Sequence, residues 1–187
     1  MADGASTYRS IVKPEVGASE DSWGTKYNAM VELLDKALGA EMFGYLSATI
    51  TGQAGDNSSN IIAFNTCSPN MGTLFSTSTY LFTAPAAGRF VGFLACAFEG
   101  LTDGAGVSRV RLQAVTSGGL TYNNLDLTGA WGSLANANFA MPFDIAVANG
   151  ETVGFYTLLG GQATKDTDLA GVTKNKTHFS ARFIATP

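Results

Sequence analysis

Short runs in which apolar and polar residues alternate fill the sequence from Tyr45 to the C terminus, and Gly, Asn, Ser and Asp separate them. In SRVRLQAV, for example, Val110, Leu112 and Ala114 share one face and the basic residues share the other. A period of two indicates a β-strand, because successive side chains point to opposite sides. Nine such runs are present, at residues 45–51, 60–66, 79–84, 89–98, 108–115, 120–127, 142–148, 152–159 and 178–185. Their number and spacing predict an all-β antiparallel sandwich or barrel.

The first 44 residues follow a different pattern. From Met1 to Asp21 there is no periodicity, and Pro14 and Gly17 interrupt the apolar residues, which predicts an extended arm. Asp21 or Ser22 can cap a helix that Gly39 ends. Its apolar residues recur at three- and four-residue steps, at Tyr27, Met30, Leu34 and Ala37, with Val31 and Leu38 beside them. We therefore divide the chain into an arm and helix at 1–44 and a β-domain at 45–187.

A helix of this length is marginal alone in water, so it needs a partner. That partner is either the β-domain of the same chain or the same helix in other copies, and the sequence leaves both alternatives open.

Two strands carry apolar residues on both faces, RFVGFLACAF at 89–98 and VGFYTLL at 153–159. One face belongs to the core, and the second also needs cover. We expect an interface between copies of the chain to provide that cover, in a homotrimer if the copies are three. We assign to it Tyr27, Met30, Leu34, Phe90, Phe93, Phe155 and Tyr156. A loop of the same chain over the second face is the alternative.

Composition excludes several function classes. Only 14% of residues are charged, the net charge is −4, and the 11 Lys and Arg residues form no run, so nucleic acid is not an expected partner. The N terminus has no signal-peptide pattern, and no stretch approaches 18 apolar residues. We expect a protein made in a cytoplasm without membrane insertion.

The sequence offers little for catalysis or metal binding. His178 is the only histidine, and no Gly-x-Ser-x-Gly nucleophile motif is present. The oxygen-rich segments 166–168 and 56–57 lack the spacing of a cation-binding loop. Cys67 and Cys96 form no CxxC pair, and buried free thiols are the simpler interpretation. We expect no enzyme activity, no cofactor and no bound metal.

Three motifs connect the β-domain with a known superfamily. FTAPAAG at 82–88 leads into an aromatic strand, ANGETVGFY spans 148–156, and HFSARFIA spans 178–185. In this order they resemble the trimeric jelly rolls of the complement globular-head and tumour-necrosis-factor-like superfamily, over residues 45–187. Arg89-Phe90 departs from the pattern, since many relatives have a small apolar residue and Tyr there. The resemblance implies an antiparallel jelly-roll sandwich that forms a homotrimer.

The arm carries a second resemblance. KPEVGASEDSWGTKYNAMVELLDKAL is similar to the N-terminal attachment segment of tailed-phage fibre and tail proteins. Seven positions match. The resemblance implies that five of them dock to the virion, namely Pro14, Gly17, Trp23, Gly24 and Asn28. The other two matching positions are Leu34 and Asp35.

Together the two resemblances imply a phage virion structural protein located in the virion. It would be a short tail fibre or tip that docks through its arm and displays trimeric heads for host-surface recognition. Its partners would be itself, other tail or capsid proteins, and a host cell-surface glycan or protein. A capsid decoration, cement or head-fibre protein is one alternative, and a secreted cytokine-like binding module is another. The sequence assigns no receptor-binding residue.

Overall fold

A computed structural model of the protein describes residues 4–5, 12–13, 22–101, 108–129, 134–161 and 167–186. Within these ranges the chain forms one α-helix, a short 3-10 turn at Met71–Thr73 and fifteen strands. In chain order the elements are β1 (Gly4–Ala5), β2 (Val12–Lys13), α1 (Ser22–Leu38), β3 (Ala40–Tyr45), β4 (Ile50–Gln53), β5 (Ser59–Ile61), β6 (Thr66–Asn70), β7 (Phe75–Ser76), β8 (Leu81–Thr83), β9 (Gly88–Leu101), β10 (Ser108–Thr116), β11 (Thr121–Gly129), β12 (Leu134–Val147), β13 (Thr152–Gly160), β14 (Thr167–Leu169) and β15 (His178–Ala185). Every strand pair is antiparallel, and β1 pairs with β2 inside the arm.

Two sheets enclose the core. In the seven-stranded sheet, β12 runs along one edge of β9, while β15 and β14 lie one after the other along the opposite edge. The sheet continues from β15 to β3 and β6, and from β14 to β4. The six-stranded sheet has the order β11, β10, β13, β8 and β7, with β5 also paired to β13. The architecture is the predicted antiparallel sandwich.

Phenylalanine rings fill the space between the sheets. Phe82 and Phe90 stack in parallel with their centroids 4.1 Å apart, and Phe155 lies within 5.2 Å of both Phe143 and Phe179. Each fully buried ring contributes about 1.5–3 kcal/mol by leaving water. Gly44 leaves room for one of these rings, because the Phe179 ring occupies the position that a Cβ at residue 44 would take.

The helix spans the predicted residues, and Gly39 ends it as expected. Gly39 has φ of +69°, a left-handed conformation that favours glycine, and its N–H donates to the Asp35 carbonyl at 3.0 Å. The chain then enters β3 at once. The helix lies against β15, with Val31 and Asp35 buried. Among the described residues, α1 lacks the length and apolar content that a membrane span requires.

Some strand boundaries differ from the predictions. β3 begins at Ala40, within the segment assigned to the arm and helix, and Ala40 and Met42 are part of the core. β12 begins at Leu134 rather than at residue 142, and the short strand β14 was not predicted. Polar residues such as Asn136 and Asn138 face solvent along β12, which made its first half resemble a loop.

Candidate self-association surface

The candidate surface is the outer face of the seven-stranded sheet. Along β9, Phe90, Leu94 and Cys96 point into the core, whereas Val91, Phe93 and Ala95 point outward. The same alternation places Glu41, Phe43 and Tyr45 of β3 and His178, Ser180 and Arg182 of β15 on this outer side. The outer side of β12 carries Ala140, Pro142 and Asp144.

Strand register brings the outward aromatic residues together. Ser180 on β15 is opposite Phe43 on one side and opposite Phe93 on the other. In the next row, His178 lies between Tyr45 and Ala95. We refer to Phe43, Tyr45, Phe93 and His178 as the aromatic face.

The rings of the aromatic face contact one another rather than the core. The His178 ring centroid is 5.4 Å from that of Phe43 and 5.6 Å from that of Phe93, which it meets edge to face. Phe43 and Tyr45 are 6.1 Å apart, and the Lys174 ammonium lies 5.7 Å from the centre of the Tyr45 ring. Phe93 remains 42% exposed. A partly exposed aromatic cluster on a sheet face is typical of a protein contact surface.

A groove of about 470 Å³ adjoins the aromatic face. Its lining includes Phe43 and Phe93 and three small residues, namely Gly92, Ser180 and Ala181. A Cβ at position 92 would collide with the Ser180 carbonyl oxygen, so glycine is needed for the two strands to approach this closely.

Two ion pairs border the aromatic face at one end. Arg182 Nη2 donates to Glu41 Oε1 at 2.8 Å, and Arg89 Nε donates to Asp144 Oδ1 at 2.8 Å. All four side chains are about half exposed, so each pair contributes no more than about 1 kcal/mol to stability. They place a polar border at one end of an apolar centre, and polar rims are common in protein interfaces.

The structure corrects part of the predicted trimer interface. Phe90 and Phe155 lie in the core of the single chain, at 0% and 1% exposure, so neither ring is available to a second copy. Tyr156 lies in the other sheet, where its ring fills the space beside Gly154. The second face of β13 is covered by its own chain, and Leu158 there is buried. Only Phe93 of these β-domain residues belongs to the aromatic face.

The predicted helix residues are accessible. Tyr27, Met30 and Leu34 are exposed, together with Leu33 and Leu38. Tyr27, Leu34 and Leu38 are four, three and seven residues from buried Val31, so they border the packed side of α1 rather than oppose it. The helix therefore packs on its own jelly roll and still presents an apolar stripe. The two alternatives left open by the sequence do not exclude each other.

Two of the five predicted docking residues lie outside the described part of the chain. Pro14 and Gly17 are outside the described residues, and Trp23 and Gly24 lie in the first turns of α1 without described side chains. Asn28 is half-buried on the same helix. Their role in docking stays a prediction.

Sequence reasoning missed Phe43, Tyr45 and His178 as surface partners of Phe93. The alternation in AEMFGY contained a usable signal, but residues 40–44 were assigned to the arm and helix. His178 was considered only with respect to catalysis, whereas its ring packs between two phenylalanines. Only strand pairing shows that these residues are neighbours, since Phe43 and His178 are far apart in sequence.

The remaining chemical groups have structural roles. Both cysteines are free; burial raises the pKa of Cys67 to about 11 and also raises that of Cys96. Asp168 accepts the Gly52 N–H at 2.9 Å, and Asp56 accepts the Ser58 N–H at 3.0 Å. Where side chains are described, no three His, Cys, Asp or Glu residues converge as a metal site requires.

Two solved structures resemble the protein in fold. The globular domain of zebrafish complement 1qA superposes with a TM-score of 0.51 and 13% identity, covering 79% of this chain and 98% of that domain. Murine APRIL superposes with a TM-score of 0.50 and 8% identity, covering 75% of this chain and 95% of its own. The chain is a jelly roll. The jelly-roll part of the resemblance seen at 82–88, 148–156 and 178–185 is thereby confirmed. No protein-family model and no curated protein matches the sequence.

Proposed function

We propose that the protein is a non-enzymatic binding module that assembles as a homotrimer through the aromatic face. The observation that carries the proposal is Phe93, a large apolar ring that is partly exposed on the solvent side of a sheet and lines a groove of about 470 Å³. Burying Phe93 and the rings around it at an interface would remove an apolar surface from water. The resemblance to trimeric jelly rolls supports three copies rather than two.

The apolar stripe of α1 extends the proposed interface. Gly39 joins the helix directly to β3, one of the strands that carries the aromatic face. Met30 and Leu34 are spaced like facing positions of a helical bundle. Three copies would bury these residues against one another, while Val31 and Asp35 hold each helix on its own jelly roll.

Light scattering on the purified full chain tests the assembly. We expect a mass near three times 19.4 kDa for the wild type. Phe93→Ser should dissociate the trimer at micromolar concentration. Leu120→Ser, at an exposed leucine in the turn between β10 and β11, is the matched control and should leave the mass unchanged. A monomeric wild type, or equal effects of both substitutions, would refute assembly through the aromatic face.

We further propose that the assembly is a phage virion component, a short tail fibre or tip anchored by the arm. The support is the similarity of residues 13–38 to phage attachment segments, together with a head suited to repeated display. Three rigid heads could recognise a host surface through weak single contacts that add in avidity. In this proposal the other partners are tail or capsid proteins.

Truncation and labelling test the virion role. Deleting residues 1–22 should leave the trimer intact and abolish its incorporation into particles. Incorporation of the truncated chain would show that the arm is not the anchor. Antibody label on intact particles should locate the protein at the tail, whereas label confined to capsid faces would identify a decoration protein instead.

A further inference from the structure

Two arginines share one carboxylate on the outer face of the six-stranded sheet. Arg109 and Arg111 are two residues apart on β10, so both point outward while Val110 and Leu112 enter the core. Asp126 on β11 is directly opposite Arg111. Arg109 donates Nε to Oδ1 at 2.9 Å and Nη2 to Oδ2 at 2.7 Å. Arg111 donates Nε to Oδ2 at 2.8 Å, and its Nη2 also contacts Oδ2.

This arrangement leaves a surplus positive charge. Two guanidinium groups and one carboxylate sum to +1, and Asp126 is the only carboxylate paired with either arginine among the described residues. The carboxylate accepts four N–H groups from the two arginines, three at Oδ2 and one at Oδ1. Each guanidinium has five N–H donors and uses two on Asp126, so about three remain on each arginine.

Partial burial strengthens the attraction between the surplus positive charge and an added anion. Arg111 is 19% exposed, and Arg109 and Asp126 are 33% and 32% exposed. A charge with reduced hydration interacts more strongly with an added counter-ion than a fully solvated charge does. The rigid forks of two arginines also match the geometry of an oxyanion better than flexible lysines would.

Two other arginine ion pairs lie on the described surface. Arg89 pairs with Asp144, and Arg182 pairs with Glu41. Both pairs border the aromatic face on the seven-stranded sheet. The cluster of Arg109, Arg111 and Asp126 lies on the opposite side of the core, so assembly through the aromatic face would leave it open to solvent.

We propose that the cluster of Arg109, Arg111 and Asp126 binds an oxyanion, the carboxylate or sulfate group of an acidic polysaccharide. The bound oxyanion neutralises the surplus positive charge and accepts hydrogen bonds from the arginine N–H groups that Asp126 does not use. Attraction is local, since the chain as a whole carries −4 and would not gather a polyanion by bulk charge. Display of three such sites rests on the proposed trimer, whereas the single site does not.

Nuclear magnetic resonance of the full chain tests the single site. Sodium sulfate is titrated at constant ionic strength, balanced with sodium chloride, while the arginine Nε–H signals are followed. We expect saturable shifts at Arg109 and Arg111, with a dissociation constant on the order of millimolar for one small anion. Arg89 and Arg182 serve as controls within the same spectrum. Equal, non-saturating shifts at all four arginines, or no shift, would overturn the site.

Binding to immobilised polysaccharide tests the ligand class. We expect the full chain to bind polygalacturonate or dextran sulfate but not neutral dextran, and the two anionic polymers distinguish carboxylate from sulfate. Arg111→Gln should weaken binding at least about tenfold, and Arg111→Lys, which keeps the charge but not the fork, should also weaken it. Lys26→Gln removes the same charge from exposed α1 and should change binding less than about twofold.

Outcomes of this second test separate the site from the assembly. If Arg111→Gln and Lys26→Gln lose polysaccharide binding equally, the effect is due to net charge alone and the proposal is refuted. Thermal denaturation verifies that both variants are folded. Saturable sulfate binding by a monomer would support the site and contradict the proposed trimer. A trimer that binds neither anion would leave the assembly standing and contradict the site.

Discussion

Phe90 and Phe93 are three residues apart on β9 and lie on opposite faces of the seven-stranded sheet. Phe90 is fully buried and stacks on Phe82, whereas Phe93 is partly exposed and meets His178 edge to face. One strand therefore contributes both to the core and to the aromatic face. The two phenylalanines have different expected effects when they are replaced.

Phe90→Ala should destabilise the single chain by about 3–5 kcal/mol, because it leaves a large cavity in a close-packed core. Phe93→Ala should cost less than about 1 kcal/mol under dilute conditions, because its ring is partly solvated already. Chemical denaturation at low protein concentration measures both free energies of unfolding. Equal decreases in the free energy of unfolding would contradict the assignment of the two rings to different faces.

The cysteines should differ in reactivity although both are free. At pH 8 a thiol with a pKa of about 11 is ionised to roughly one part in a thousand, so Cys67 should be alkylated slowly. Cys96 is fully buried and should react only when the chain unfolds. Mass spectrometry of alkylated native protein should show at most one label, and Cys67→Ser should show none. Rapid labelling of Cys96 would contradict its burial.

Glu151 should make stability depend on pH in the acidic range. Its carboxylate accepts the Ala148 N–H at 2.9 Å and the Gly118 N–H at 3.2 Å, and these bonds lower its pKa in the folded state. A lowered pKa gives stability that is present above the ordinary glutamate value and is lost as pH falls through the folded value. Since the side chain is largely solvated, we expect Glu151→Gln to cost at most about 1 kcal/mol at neutral pH.

The comparison of Glu151→Gln with the wild type by denaturation at pH 7 and pH 3 checks this prediction. The difference in free energy of unfolding should shrink at the lower pH, where the wild-type carboxylate also becomes neutral. A difference that is unchanged at pH 3 would mean that the substitution acts through shape rather than charge.

The exposed stripe of α1 should affect assembly more than folding. Leu34→Ser should raise the concentration at which the trimer dissociates by at least about tenfold, because an apolar contact of about 1.5–3 kcal/mol is removed from each copy. Lys26→Ser, on an exposed polar position of the same helix, should have little effect. Sedimentation at several concentrations measures the dissociation. Unchanged dissociation in Leu34→Ser would place α1 outside the interface.

Sequence reasoning was most successful where the signal is local. The helix, its glycine terminator and most long strands depend on residues within one or two turns of each other, and Gly39 needs its left-handed conformation in any tertiary context. β3 was missed because residues 40–44 were assigned to the arm and helix, and the first half of β12 was missed because its outward residues are polar. Pairing with β15 and β9 stabilises them, and that pairing is not visible in a short window.

The sequence by itself determined that the chain forms an antiparallel β-sandwich preceded by one amphipathic helix, because periodicity and turn residues encode those features locally. Only the tertiary structure decided which apolar residues remain outside the core. VGFYTLL and RFVGFLACAF have similar compositions, yet the same chain covers β13 while Phe93 on β9 stays partly exposed. The physical reason is strand register, which brings together residues distant in sequence and places Phe43 and Phe93 on either side of Ser180.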